Sequence, residues 1–131
     1  MDIVVTREAL DAMEAASRAE HPREACGILS GEGTRVSSFM QTANIHPHPE
    51  THFEIDPQAL IDAHREARNG GPQVIGYFHS HPQGEAAPSK TDRAMAAGDG
   101  KVWAIAGKGR LQFWRDDPAG FRALSYSVEE D

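Results

Sequence analysis

Two histidines spaced two residues apart, in Gly76-Tyr77-Phe78-His79-Ser80-His81-Pro82, are the side chains of this chain best placed to hold a metal ion. The apolar, partly β-branched run Val74, Ile75, Tyr77 and Phe78 reads as a strand leading into them. On a strand, alternate residues share a face, so His79 and His81 point the same way, roughly 7 Å apart at Cα. Two imidazoles converging from that spacing reach one cation at roughly 2.0–2.1 Å, the zinc–nitrogen distance. Pro82 ends the strand, and a loop containing Gly84 leads to Pro88 and Ser89. Ser89 suits the N-cap of a helix that carries Asp92 in its first turn. A carboxylate there supplies a third ligand and leaves the fourth position for water, the pattern of a catalytic zinc site rather than a structural one.

Other chemistries find less support. The His-Glu-x-x-His pattern of helix-borne zinc proteases is absent, as are Cys-x-x-Cys pairs. His46, His48 and His52 lie close together, but their loop has no Cys and no patterned carboxylate, so it reads as a hydrogen-bonded or solvated loop. His64 falls mid-helix, on the surface. Cys26 follows Glu24 closely, yet the strand pattern makes it a small buried hydrophobe rather than a nucleophile. As the single cysteine it excludes an intrachain disulfide, which suits a reducing cytoplasm. A net charge of −7 argues against a nucleic-acid or anionic-membrane surface. No apolar run approaches the ~20 residues that cross a bilayer, and the N-terminus lacks a signal-peptide core.

The linear pattern His79-Ser80-His81-Pro82, six residues, then Ser89-x-x-Asp92 resembles the JAMM signature of the Mov34/MPN/PAD-1 zinc metalloproteases. The segment Pro22-Arg23-Glu24-Ala25-Cys26-Gly27-Ile28-Leu29-Ser30-Gly31 is similar to the opening motif of their compact prokaryotic branch. The resemblance implies one Zn²⁺ on His79, His81 and Asp92, with Glu24 as the general base that activates the zinc-bound water. It also implies that Ser89 donates a hydrogen bond to the oxyanion of the tetrahedral intermediate. The implied activity is that of a metallopeptidase or isopeptidase acting after the C-terminal Gly-Gly of a ubiquitin-like, sulfur-carrier protein. Such a tail lies extended in a narrow groove and pairs with a sheet edge. Two alternatives share parts of the motif: a catalytically inactive MPN-type scaffold or protein-binding module, and a RadC-like protein. The full set of motif residues disfavours the first; the Glu24–Gly31 segment and the acidic charge disfavour the second.

The elements that must position these residues follow from periodicity and punctuation. At 131 residues and 39% hydrophobic content the chain reads as a single domain spanning 1–131. A strand at Ile3–Val5 precedes an amphipathic helix over Arg7–Ala19, capped by Thr6, with Leu10, Met13 and Ala16–Ala19 on its buried side. Strands at Glu24–Ser30 and Arg35–Gln41 flank the turn Gly31-Glu32-Gly33, and Thr42–Thr51 is loop. Phe53–Ile55 reads as a brief strand, and Asp56-Pro57 opens a helix to Arg68 that Asn69-Gly70-Gly71-Pro72 stops. After the motif strand and a Ser89–Ala97 helix come strands at Val102–Ala106, Arg110–Arg115 and Phe121–Val128. Helices among mainly antiparallel hairpins indicate α+β. The resemblance implies the same class: a curved mixed sheet flanked by helices, the cytidine-deaminase-like MPN fold, with Asn44…Phe53-x-x-Asp56-Pro57 shaping the region beside the site.

Overall fold

The structure is a computed structural model that describes residues 2–130. In chain order the elements are β1 (Ile3–Thr6), α1 (Arg7–Glu20), β2 (Cys26–Glu32), β3 (Arg35–Thr42), α2 (Pro57–Arg68) and β4 (Gln73–His81). They are followed by α3 (Lys90–Met95), β5 (Val102–Gly107), β6 (Arg110–Asp117), β7 (Gly120–Leu124) and β8 (Tyr126–Glu129). All eight strands join one mixed sheet in the order β7-β6-β5-β4-β2-β3-β1-β8. The α+β expectation holds. The sheet is less antiparallel than the hairpin pattern suggested, because β1 runs parallel to β3 and β8, and β4 parallel to β5.

The strand expected over Phe121–Val128 is two strands at opposite edges of the sheet, separated only by Ser125. One residue bridges the two edges because the sheet curls until they meet. Ile3 N donates to the Ser125 carbonyl at 3.1 Å, and Tyr126 on β8 reaches across to donate its hydroxyl to the Leu111 carbonyl of β6. Pairing with distant β1 is a non-local choice, invisible to the local alternation of residues 121–128.

α1 seals one face of the curl. Thr6 caps it through a bond from Ala9 N, and Ala9, Leu10, Met13 and Ala16 are buried against Val5, Leu29, Val36, Phe78 and Phe113. Ala19, expected on that face, is exposed at the last turn. α2 lies on the other face, opened as expected by the Asp56 cap and Pro57, and none of its residues is fully buried. Its Ala59, Leu60 and Ala63 lean on Cys26, Ile28, Ile55 and Val74.

β4 divides these two faces. Its register against β2 shifts between Leu29 and Ser30, so Ile75 is an extra residue. Beyond that bulge, alternation sends Phe78 to the α1 core and Tyr77, His79 and His81 to the α2 face. Gly76 admits β5 at close range, since a Cβ there would collide with the Val102 carbonyl. Phe53–Ile55, expected as a strand, makes only an isolated bridge from Ile55 to Asn44. α3 is shorter than the expected Ser89–Ala97, ending at Met95, and β2 begins at Cys26 rather than Glu24.

Candidate metal centre

β4 presents His79, fully buried, and His81, mostly buried, side by side on the α2 face. α3 brings Asp92 to them. Its first turn is a capping box: Ser89 Oγ accepts from Asp92 N at 3.0 Å, and Ser89 N donates to Asp92 Oδ2 at 2.9 Å. Asp92 Oδ2 then lies 3.1 Å from both His79 Nε2 and His81 Nε2, and the two nitrogens are 3.0 Å apart. Three lone-pair-bearing atoms thus form a nearly equilateral triangle. A tetrahedral ion with ligands at roughly 2.0–2.1 Å spaces them roughly 3.3–3.4 Å apart, so the triangle fits a metal with only slight expansion.

The His81 tautomer agrees with that fit. His81 Nδ1 lies 2.7 Å from the Glu85 carbonyl, which can only accept, so the proton belongs on Nδ1 and the lone pair on Nε2. Gly107 makes this contact possible: a Cβ there would stand 2.5 Å from the Gly84 oxygen and push the 84–86 loop away. The His79 ring is walled in by Phe53, stacked at 4.2 Å between centroids, and by the edge of Trp103 at 5.7 Å. His79 Nδ1 is the one buried side-chain polar atom without a hydrogen-bond partner among the described residues. Burial holds this imidazole below its usual pKa and therefore neutral, as a ligand must be. Burial works most strongly against charge on His81, but its bonds to Asp92 and the Glu85 carbonyl, together with the charges of Asp92 and Glu24, outweigh that and move it upward. Burial alone would raise Asp92; the two imidazole contacts and the Ser89 amide overcome it and keep the carboxylate ionised, well below the usual range.

Glu24 approaches from the end of β2. One of its carboxylate oxygens falls, with a nitrogen of each of His79 and His81, in a group whose atoms all lie within 4.8 Å of one another. Its backbone is pinned on both sides: Glu24 N donates to the Pro49 carbonyl and Asn44 Nδ2 to the Glu24 carbonyl at 3.0 Å. The next residue is clamped by Ser80, whose Oγ accepts from Ala25 N at 2.8 Å while Ser80 N donates to Ala25 O. Burial pushes the Glu24 carboxyl up to about 7, with His81 pulling it down and Asp92 raising it further.

All five expected site residues, Glu24, His79, His81, Ser89 and Asp92, therefore meet at one place. The His46–His48–His52 loop does not form a second ligand cluster; His46 and His52 stack at 4.6 Å. Cys26 is buried, its thiol pushed up by burial, and bonded toward Thr42 and Ala43. Ser80 and Trp103 have no role legible in the sequence, since a hydroxyl between two histidines and an indole on β5 carry no local signal. Asn44 is more than a shaping element. Its amide donates to the carbonyls of Glu24 and His52, and its oxygen accepts from His46 N and Glu54 N.

A pocket of about 420 Å³ opens beside the centre, with Phe53, Ile55, Leu60, Tyr77, Met95 and Trp103 as its apolar wall. β4 itself is an interior strand, hydrogen-bonded by β2 and β5, so no peptide can be added to it. The unpaired backbone here belongs to 53–55: among the described residues the amides and carbonyls of Phe53 and Ile55 make no backbone hydrogen bond, while Glu54 is turned inward to Asn44 and Ile45.

Comparison with known proteins bears on this geometry. The family model for prokaryotic homologs of the JAB domain matches residues 6–117. A desampylase of Haloferax volcanii is 32% identical over 113 residues, covering 82% of this chain and 80% of that protein. A probable TtuB-protein conjugate cleaving protease of Thermus thermophilus is 33% identical over 90 residues, 69% of this chain and 60% of that one. A solution structure of a Desulfitobacterium hafniense protein superposes with a TM-score of 0.84 at 26% identity, covering 98% of this chain and 94% of that chain.

Proposed function

Because this chain belongs to the prokaryotic homologs of the JAB domain, we propose that it is a zinc-dependent metallopeptidase or isopeptidase that cleaves after the C-terminal Gly-Gly of a ubiquitin-like or sulfur-carrier protein. The carrying observation is the triangle of His79 Nε2, His81 Nε2 and Asp92 Oδ2, with the Glu24 carboxylate facing it. The activities after which the relatives are named, desampylation and cleavage of a TtuB–protein conjugate, supply the substrate class.

In this reading His79, His81 and Asp92 hold Zn²⁺, which when bound lowers the pKa of water to about 7 and polarises a carbonyl. Glu24 takes a proton from the attacking water and later delivers it to the leaving nitrogen. Burial raises this carboxyl to about 7 in the metal-free protein, the direction that makes it a better proton acceptor. The scissile C–N bond breaks, the water oxygen joins the glycine carbonyl carbon, and the amine leaves protonated. Ser89 acts on the carbonyl oxygen as charge develops there. Its Oγ already accepts from Asp92 N, which leaves the hydroxyl proton free to donate, so capping and catalysis are compatible in one side chain. Phe53 and Trp103 keep water from the buried imidazole. An extended Gly-Gly tail pairs with the free backbone of 53–55, and the residues before it enter the apolar pocket. The chain works as one domain, in a reducing, cytoplasmic setting that suits its free, buried Cys26.

The test is a purified, zinc-loaded preparation given a ubiquitin-like carrier bearing a peptide or a lysine-linked group after Gly-Gly. Cleavage at that bond, abolished by a chelator and restored by zinc, is expected. Stoichiometric zinc without turnover on either linkage identifies a scaffold instead.

A further inference from the structure

The centre lies between two recesses of opposite charge. The apolar pocket counts five acids among its lining residues, Glu24, Glu54, Asp92, Asp99 and Asp116, and no lysine or arginine. On the far side of His81 runs a groove of about 710 Å³ between α1 and the β5–β6 turn. Arg18, His21, Lys108 and Arg110 line it against a single acid, Glu14. Lys108 is occupied by Glu85 at 2.8 Å. Arg18 and Arg110 have no salt-bridge partner among the described residues, in a chain whose net charge is −7. Two guanidiniums without an ion-pair partner line one groove next to a proposed metal ligand, with Glu14 and the Lys108-paired Glu85 as its nearby acids, and the recess favours anions over the acid-lined pocket.

The direction of the substrate decides what that anion is. The inference rests on the Gly-Gly reading, in which the acyl half pairs with 53–55 and fills the apolar pocket. The leaving half then has to depart past His81. We propose that the groove beside His81 binds a carboxylate in the leaving half of the substrate, held by Arg18 and Arg110. That carboxylate has two possible sources: the free α-carboxylate of a single amino acid attached to the tail, or an acidic side chain just after the scissile bond. Both present the planar oxygen pair that guanidinium forks bind. The acid-lined pocket repels either one, so charge also fixes the orientation in which a substrate crosses the centre.

Zinc-loaded Glu24→Gln protein, in which turnover is strongly slowed, separates the arms by titration calorimetry. Three peptides share an N-acylated tail ending in Gly-Gly: one continues to Ala with a free carboxylate, one to Ala-carboxamide, and one to Asp-carboxamide. At least one carboxylate peptide is expected to bind about tenfold more tightly than the neutral one; which of the two does so identifies the source. Adding Arg18→Gln and Arg110→Gln should erase that preference and leave the neutral peptide's affinity unchanged. Equal affinity for all three peptides, or a preference that survives the double substitution, overturns the proposal. If the preference and its loss are observed while wild-type protein cleaves none of the three, the groove stands and the peptidase reading falls.

Discussion

The two faces of the sheet are built to different standards. On the α1 face, Ala9, Leu10, Met13 and Ala16 interlock with Phe78, Phe113 and Leu29 in a continuous core. On the α2 face no helix residue is fully buried, the apolar contacts form a small separate cluster, and a pocket of about 420 Å³ stays open. The same strand supplies both: Phe78 faces one side, His79 and His81 the other. Close packing makes the first face a scaffold. The second is left under-packed, and its polar groups converge instead on one another. Stability and chemistry are thereby separated by the pleat of a single strand, so substitutions on the two faces should fail in different ways.

The sharpest way to break this division is at the ligands. The His79→Ala, His81→Ala double variant is expected to lose stoichiometric zinc and all measurable cleavage while remaining folded by circular dichroism. Retained zinc by elemental analysis would remove these residues from the ligand set.

Glu24→Gln should keep the metal and lower kcat by roughly 10²–10⁴. The same variant carries a pH signature in the metal-free protein. The folded carboxyl is raised from 4.5 to about 7, so the fold holds a proton that the unfolded chain has released. The stability this confers is present below about 4.5 and lost as pH rises to about 7. The melting temperature of Glu24→Gln, lacking that proton, should therefore gain on wild type across this window; parallel curves would contradict the burial of a titrating carboxyl.

Ser89 sits where the two kinds of failure meet. Ser89→Ala is expected to reduce kcat by about 10²–10³ with KM little changed. Loss of the cap should cost about 1 kcal/mol of unfolding free energy. A variant weakened in stability but fully active per folded molecule would leave Ser89 only its capping role.

The smallest effect compares the helices. Met13→Ala, in the α1 core, should cost about 2–5 kcal/mol, and Leu60→Ala, on half-exposed α2, clearly less, because part of that side chain never leaves water. Equal losses by denaturant titration would mean that α2 is as much a part of the core as α1.

Local signals of the chain account for the meeting of His79, His81 and Asp92. His79 and His81 share a face because strand periodicity is two, and Asp92 faces inward because Ser89 and Asp92 write a capping box into the start of α3. Asp56-Pro57 likewise announces α2, and Thr6 announces α1. These are short-range effects of backbone geometry and hydrogen-bond supply, readable within a few residues. What lies beyond that range was decided by the tertiary structure. β8 parts from β7 at Ser125 because β1 offers it an edge more than a hundred residues away in sequence. Glu24 owes its raised pKa to burial, and its placement to Asn44 and Ser80, neither of which has a local reason to be near it. The opposite charges of the two recesses arise from side chains on α1, the β5–β6 turn, α3 and the 51–55 segment, which are neighbours only once the sheet has curled. Periodicity fixes which way a side chain points along its own element; only long-range packing fixes what it points at.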